Sequence, residues 1–117
     1  MHKPPTLAEL RAAAWALRSV RSARRQLGTS GYDNLSLPPV PTLPVSASRG
    51  VHAVLRRLPS TCLERAVVLQ RWRAAQGDAH DVVIGVKGSR DDFRAHAWLD
   101  DERSELDDFH ELVRLRP

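Results

Sequence analysis

Apolar residues recur at helical spacing in three stretches of the chain and alternate in two others. Leu7, Leu10, Ala14, Leu17 and Val20 form one stripe. Thr6-Leu7-Ala8-Glu9 ahead of them has the S/T-x-x-E form of a capping box. A helix over 6–27 follows from the two signals together. Val51, Val54, Leu55 and Leu58 repeat the spacing and predict a short helix ending near residue 58, capped by Ser46 or Ser48. The third stretch, Leu63 to Gln76, is apolar around most of its circumference, which marks a helix buried on several sides. Beyond Gly77-Asp78 the period changes to two. Val82, Ile84 and Val86 alternate with Val83, Gly85 and Lys87, a strand. In the next strand Phe93, Ala95, Ala97 and Leu99 share an apolar face, and Arg94, His96, Trp98 and Asp100 share the other. Leu106 to Val113 returns as either a strand or a short helix.

Between the first two helices lies a segment of a different kind. Residues 28–45 hold two glycines and four prolines, which no regular element survives. They predict an extended connector joining an N-terminal helical arm to the rest. The expected organisation is therefore a basic helix and proline-rich connector over 1–45, and an α+β domain over 46–117. In that domain a central helix packs on a short antiparallel sheet.

Charge sharpens this division. Residues 1–57 carry nine Lys/Arg against Glu9 and Asp33, a net of +7, whereas residues 58–117 carry nine basic and twelve acidic side chains, a net of −3. Arg11, Arg18 and Arg25 lie seven apart along the first helix, joined by Arg21 and Arg24. Such a stripe is a solvated face or a docking surface for an acidic partner or anionic lipid. Nucleic acid is the weaker expectation, because Trp15 is the one aromatic among these cations and no recognition motif is present. One cysteine in the chain excludes an internal disulfide and fits a reducing compartment. With no secretory signal and no apolar run near the ~20 residues of a membrane span, the expected location is the cytoplasm.

That cysteine stands at a helix start. In Pro59-Ser60-Thr61-Cys62-Leu63-Glu64-Arg65-Ala66, Thr61 and Glu64 form a second capping box, and Cys62 falls at the first helical position. Gly77 supplies the left-handed stop. The helix dipole and the unpaired N–H groups of the first turn favour a thiolate there. A thiol enzyme also needs an imidazole and a group that orients it. His96 is the candidate base because it lies within a strand, whereas His2, His52, His80 and His110 lie at the start of the chain, on a helix face, at a turn and near the C-terminus. Asp100, Asp101, Asp107 and Asp108 all remain open as the orienting acid. Nucleotide-loop, H-E-x-x-H and G-x-S-x-G motifs are absent, and one cysteine with scattered histidines makes no zinc site. No cofactor is expected.

Three segments together carry a resemblance: Thr61-Cys62-Leu63-Glu64-Arg65-Ala66, Val83-Ile84-Gly85-Val86, and Phe93-Arg94-Ala95-His96-Ala97-Trp98. In this order the chain, over roughly residues 48–110, resembles the stand-alone leader peptidases of lasso-peptide biosynthesis, a small transglutaminase-like branch of the papain-type cysteine enzymes. The resemblance implies Cys62 as nucleophile, His96 as general base and, within Leu106-Asp107-Asp108, Asp108 as the third member with Asp107 as the alternative register. The family's glycine turn after the histidine strand is replaced here by Asp101-Glu102-Arg103-Ser104. Trp98 and Thr61 are candidates for shielding or substrate contact, and Trp98 is either a shield over the His96–acid pair or a core tryptophan. The implied partners are the leader of a precursor peptide, a small leader-recognition protein and a macrolactam-forming lasso cyclase. The family's preference is for threonine as the penultimate leader residue. Two rival functions stand beside this one: another thiol acyl transfer, such as a transglutaminase or amide-forming enzyme, and a non-enzymatic basic adaptor.

Overall fold

The computed structural model describes residues 4–29, 31, 35–88, 94–101 and 109–117. Contacts divide the chain into two compact units, Met1–Ser60 and Thr61–Pro117.

The first unit is helical. Helix α1 spans Leu7–Thr29. Thr6 caps it, accepting from the Glu9 N–H at 3.1 Å, which satisfies one of the donors a helix start leaves over. The buried face is Ala12, Trp15, Ala16, Ser19, Val20 and Ala23. This corrects the leucine stripe expected from spacing: Leu7 and Leu10 are 75% and 53% exposed, and Ala14 is exposed as well. The reason lies in what packs there. A single 3₁₀ turn, Val45–Ala47, leads into α2, Ser48–Arg57, and both pack on α1. A Cβ on Gly50 would run into the Glu9 carbonyl, so glycine lets the two backbones close, and small side chains fill the contact better than leucine would. The N-cap of α2 is Ala47, with no side-chain cap. The expected caps Ser46 and Ser48 fall on either side of it, because the 3₁₀ turn already starts the helical path.

Residues 35–44 carry no regular element, as their prolines dictate. They are nevertheless held to α1. The Trp15 indole N–H donates to the Pro38 carbonyl at 2.9 Å, and the Gln26 amide donates to the Ser36 carbonyl while accepting from the Ser36 N–H. Leu35 is buried. The connector therefore lies against the helix it was expected to tether, and α2, expected with the residues that follow, belongs to the same unit as α1. Arg11, Arg18, Arg21, Arg24 and Arg25 are all exposed.

Among the described residues the second unit is one helix and a three-stranded antiparallel sheet, the α+β arrangement expected. Helix α3 spans Cys62–Ala75 and buries Glu64, Ala66, Val67, Val68, Leu69, Gln70 and Trp72. Strands β1 (Val82–Lys87), β2 (Arg94–Leu99) and β3 (His110–Leu115) lie in the order β2-β1-β3. The C-terminal stretch is thus a strand from His110 on, while residues 106–108 of the expected element lie outside the described residues. In β1–β2, Val82 faces Leu99 and Gly85 faces His96. In β1–β3 the register slips between Ile84 and Gly85, leaving Leu112 as the extra residue of a bulge. Burial in β2 grows along the strand instead of alternating: Arg94 and Ala95 are exposed, His96 is half-buried, and Ala97, Trp98 and Leu99 are buried. Ala95 therefore does not join the dry face expected of it, and Phe93 lies outside the described residues. Fully buried Gln70 ties the unit together, its amide donating to the carbonyls of His80 at 3.0 Å and Leu115 at 2.7 Å. No helix among the described residues is long and apolar enough to cross a membrane.

Candidate active site

The start of α3 is built by its capping box. Thr61 Oγ1 accepts from the Glu64 N–H at 3.1 Å, and Glu64 Oε1 accepts from the Thr61 N–H at 3.0 Å. Glu64 is only 4% exposed, so this reciprocal pair is fixed by packing. Its effect is selective. The helix start fixes four N–H groups in its first turn. The box occupies those of Thr61 and Glu64, while those of Cys62 and Leu63 have no partner among the described residues. The N–H groups of Cys62 and of the residue after it thus stay open at the positive end of the dipole.

The opposite end of the helix is closed as firmly. Gly77 takes φ +85°. Its N–H donates to the Ala74 carbonyl, and the Asp78 N–H donates to that of Arg73, the Schellman pairing.

Strand β2 packs on α3, and this brings the two expected reactive residues together. Half-buried Cys62 and His96 line one small pocket of about 90 Å³ with Arg65, Ala66, Leu69 and Ala97. The imidazole sits in an aromatic cluster. Its ring stacks on Trp98, centroids 5.9 Å apart and planes 16° apart. It also meets Phe109 at 5.8 Å, and Phe109 meets Trp98 at the same separation. Trp98 is 9% exposed and rests on Gly85, where a Cβ would lie 2.6 Å from its ring. A glycine in β1 thus makes room for the indole that braces His96. Lys87 lies 5.7 Å above the Phe109 ring on the outer side of this cluster.

The acids divide into two groups. Asp107 and Asp108 lie outside the described residues. Asp100 and Asp101, also open as orienting groups from sequence, are engaged elsewhere. His80 Nδ1 lies 2.6 Å from Asp100 Oδ1, and its Nε2 lies 2.8 Å from Asp78 Oδ1. Arg73 forks between Asp78 and Asp101, with contacts of 2.6 and 2.8 Å from Nη2. The hydrogen bond to Asp100, with that to Asp78 and the nearby charges, raises the His80 pKa above its ordinary value. Arg73, aided by His80, holds the carboxyls of Asp78 and Asp101 below theirs. Sequence reading set His80 aside as a turn residue; its partners come from the ends of α3 and β2, which no local motif links.

His80, Asp100 and Asp101 also form the group among the described residues whose donor atoms converge enough to suggest a metal, all within 4.8 Å. Both imidazole nitrogens already face carboxylates, and Arg73 already neutralises Asp101. The donor set is that of an ion-pair clamp.

A family model described as the Transglutaminase-like superfamily matches residues 5–116, thereby spanning both units. Neither a curated protein nor a solved structure matches the chain.

Proposed function

This chain belongs to the transglutaminase-like superfamily, and on that premise we propose that it is a cysteine peptidase that removes the leader from a ribosomally made lasso-peptide precursor. It works beside a leader-recognition protein and a macrolactam-forming cyclase. The superfamily's chemistry is thiol-based proteolysis and acyl transfer, and Cys62 is the one thiol the chain offers. The observation that carries the reading is the pocket shared by Cys62, at the open start of α3, and His96. The three segments around Cys62, Val83 and His96 supply the leader-peptidase specificity by resemblance.

In this mechanism His96 takes the Cys62 proton, and the thiolate attacks the carbonyl carbon of the last leader residue. The carbonyl electron pair moves onto oxygen, and the Cys62 N–H donates to that oxyanion. As the oxyanion collapses, the C–N bond breaks and imidazolium His96 protonates the departing amine of the core peptide. A water molecule, deprotonated by His96, then attacks the thioester, releasing the leader carboxylate and restoring the thiol. Trp98 and Phe109 keep the imidazole in place and exclude water from one side. Asp108 is the proposed orienting acid.

The test is direct. The protein is incubated with precursor and leader-binding partner, and the products are weighed by mass spectrometry. One cut between leader and core is expected, and it disappears after alkylation of Cys62. Persistent cleavage by alkylated protein would overturn the assignment. Joining of the leader to an added amine, in place of hydrolysis, would move the chemistry to acyl transfer.

A further inference from the structure

We propose that the groove between α1 and α2 is a docking site for an acidic, amphipathic peptide segment of a partner protein. The groove holds about 340 Å³, and its floor is Leu10, Ala13 and Leu17 from α1 with Ala53 and Val54 from α2 and Leu58 just beyond its end. These side chains are left over from the contact that joins the helices. α1 turns its alanine and tryptophan face inward, and Gly50 draws α2 onto the backbone at Glu9. Leu10 and Leu17 then fall beside the contact instead of within it. Leu10 stays 53% exposed, and Leu17, Ala53, Val54 and Leu58 are only half-buried. An apolar floor of this kind between two helices takes the anchors of an amphipathic segment, spaced i, i+3, i+4, i+7.

Charge selects the sign of that segment. Arg49 and Arg57 line the groove and are exposed, and neither has a carboxylate partner among the described residues. Glu9, at one end, is the one acid in the lining. The unit as a whole, residues 1–60, carries nine basic side chains against two acidic ones. A ligand with leucine-like anchors and flanking carboxylates satisfies both the floor and the rim. A bilayer surface is flat and meets a concave floor poorly. Single-stranded nucleic acid needs stacking platforms, and Trp15 is buried with its N–H on Pro38. This inference rests on the helical unit alone and is independent of the peptidase assignment, so a failed cleavage assay leaves it intact.

The test uses the full chain and a fluorescein-labelled synthetic peptide of about 16 residues, with leucines at i, i+3, i+4 and i+7 and glutamates at most other positions. Its anisotropy is followed on titration. Saturable binding is expected, weaker by about tenfold or more for a scrambled peptide of the same composition and for one with lysine in place of glutamate. Leu10→Glu, at a half-exposed position, and the double variant Arg49→Glu with Arg57→Glu should each weaken binding by a similar factor without moving the melting temperature. The charge variant alone decides the matter if Leu10→Glu fails to fold. Equal binding of the scrambled peptide, or variants that bind like the parent, overturns the proposal. So does sedimentation as a dimer that Leu10→Glu dissociates, which would make a second copy the occupant. Binding to anionic vesicles but not to the peptide would assign the surface to lipid and overturn it as well.

Discussion

Helix α3 has a histidine beside each of its ends, and the two ends treat it in opposite ways. At the N-terminus, His96 shares a pocket with Cys62 and Arg65, and none of the three has an ion pair among the described residues. The imidazole is held by ring contacts, which fix its position and leave its nitrogens for other work. At the C-terminus, the two nitrogens of His80 face Asp100 and Asp78, and Arg73 pairs with Asp78 and Asp101. A proton shuttle must change charge during the reaction, so a histidine bracketed by two carboxylates is poorly placed to be one. In the proposed mechanism, chemistry falls to the end where polar groups are positioned without being consumed, while the paired groups fasten the other end.

The largest effect expected from this contrast is on activity. Cys62→Ala and His96→Ala should each lower leader cleavage by about a thousandfold or more, and the double variant should lose little beyond either single one, because such residues act as a unit. His80→Ala should keep most of the activity at neutral pH. A His80 variant as inactive as the His96 variant would erase the distinction between the ends. Single-turnover cleavage followed by mass spectrometry reads all four proteins.

Next in size is the support beneath His96. Gly85→Ala would place a methyl group 2.6 Å from the Trp98 ring and 3.0 Å from the His110 carbonyl. Overpacking of this kind costs about 1–3 kcal/mol, measurable by urea unfolding. The shift of Trp98 should also lower cleavage, since the indole stacks on the imidazole. Thr61→Ala removes one half of the capping box and should cost about 1 kcal/mol, most of it recovered by Thr61→Ser. If Gly85→Ala lowers stability and leaves cleavage untouched, the aromatic brace does not position His96.

The same contrast separates what the chain made legible from what it did not. Both ends of α3 were readable because their signals are local. Thr61 and Glu64 lie three residues apart, and Gly77 needs only its own φ to stop the helix. That Cys62 and His96 would meet was an expectation carried by the resemblance of three segments, and both line one pocket. The His80 clamp was not legible, because Asp78 is a local neighbour but Asp100 and Asp101 reach the cluster only after β2 has paired with β1. In α1 the spacing revealed a helix and mistook its inner face. Leucines marked a stripe by hydrophobicity, whereas packing against α2, through its Gly50, and against residues 35–44 demanded alanines and one tryptophan. Hydropathy measures a wish to leave water, and close helix contact is decided by size. The connector shows the same limit: its prolines foretold the absence of regular structure, and nothing in them told that Gln26 and Trp15 would hold it.

The smallest expected effect is a pH dependence that belongs to the fastened end alone. The folded pKa of His80 is raised, first by its hydrogen bond to Asp100. Its contribution to stability is therefore fully present below the unfolded value of about 6.5 and is lost as the pH rises through the folded value. Asp78 and Asp101 have lowered pKa values, each chiefly from Arg73. Their contributions are present above about pH 4 and are lost as the pH falls through the folded values. The clamp is complete between these limits. The melting-temperature difference between the parent protein and His80→Gln should be greatest near pH 5 to 6 and should shrink as the pH rises beyond the ordinary imidazole value of about 6.5 and through the raised folded one. Salt should reduce it, because the groups lie near the surface. A difference that stays constant from pH 5 to 9 would mean that His80 contributes through packing and not through charge, and the two ends of α3 would then differ less than their hydrogen bonds suggest.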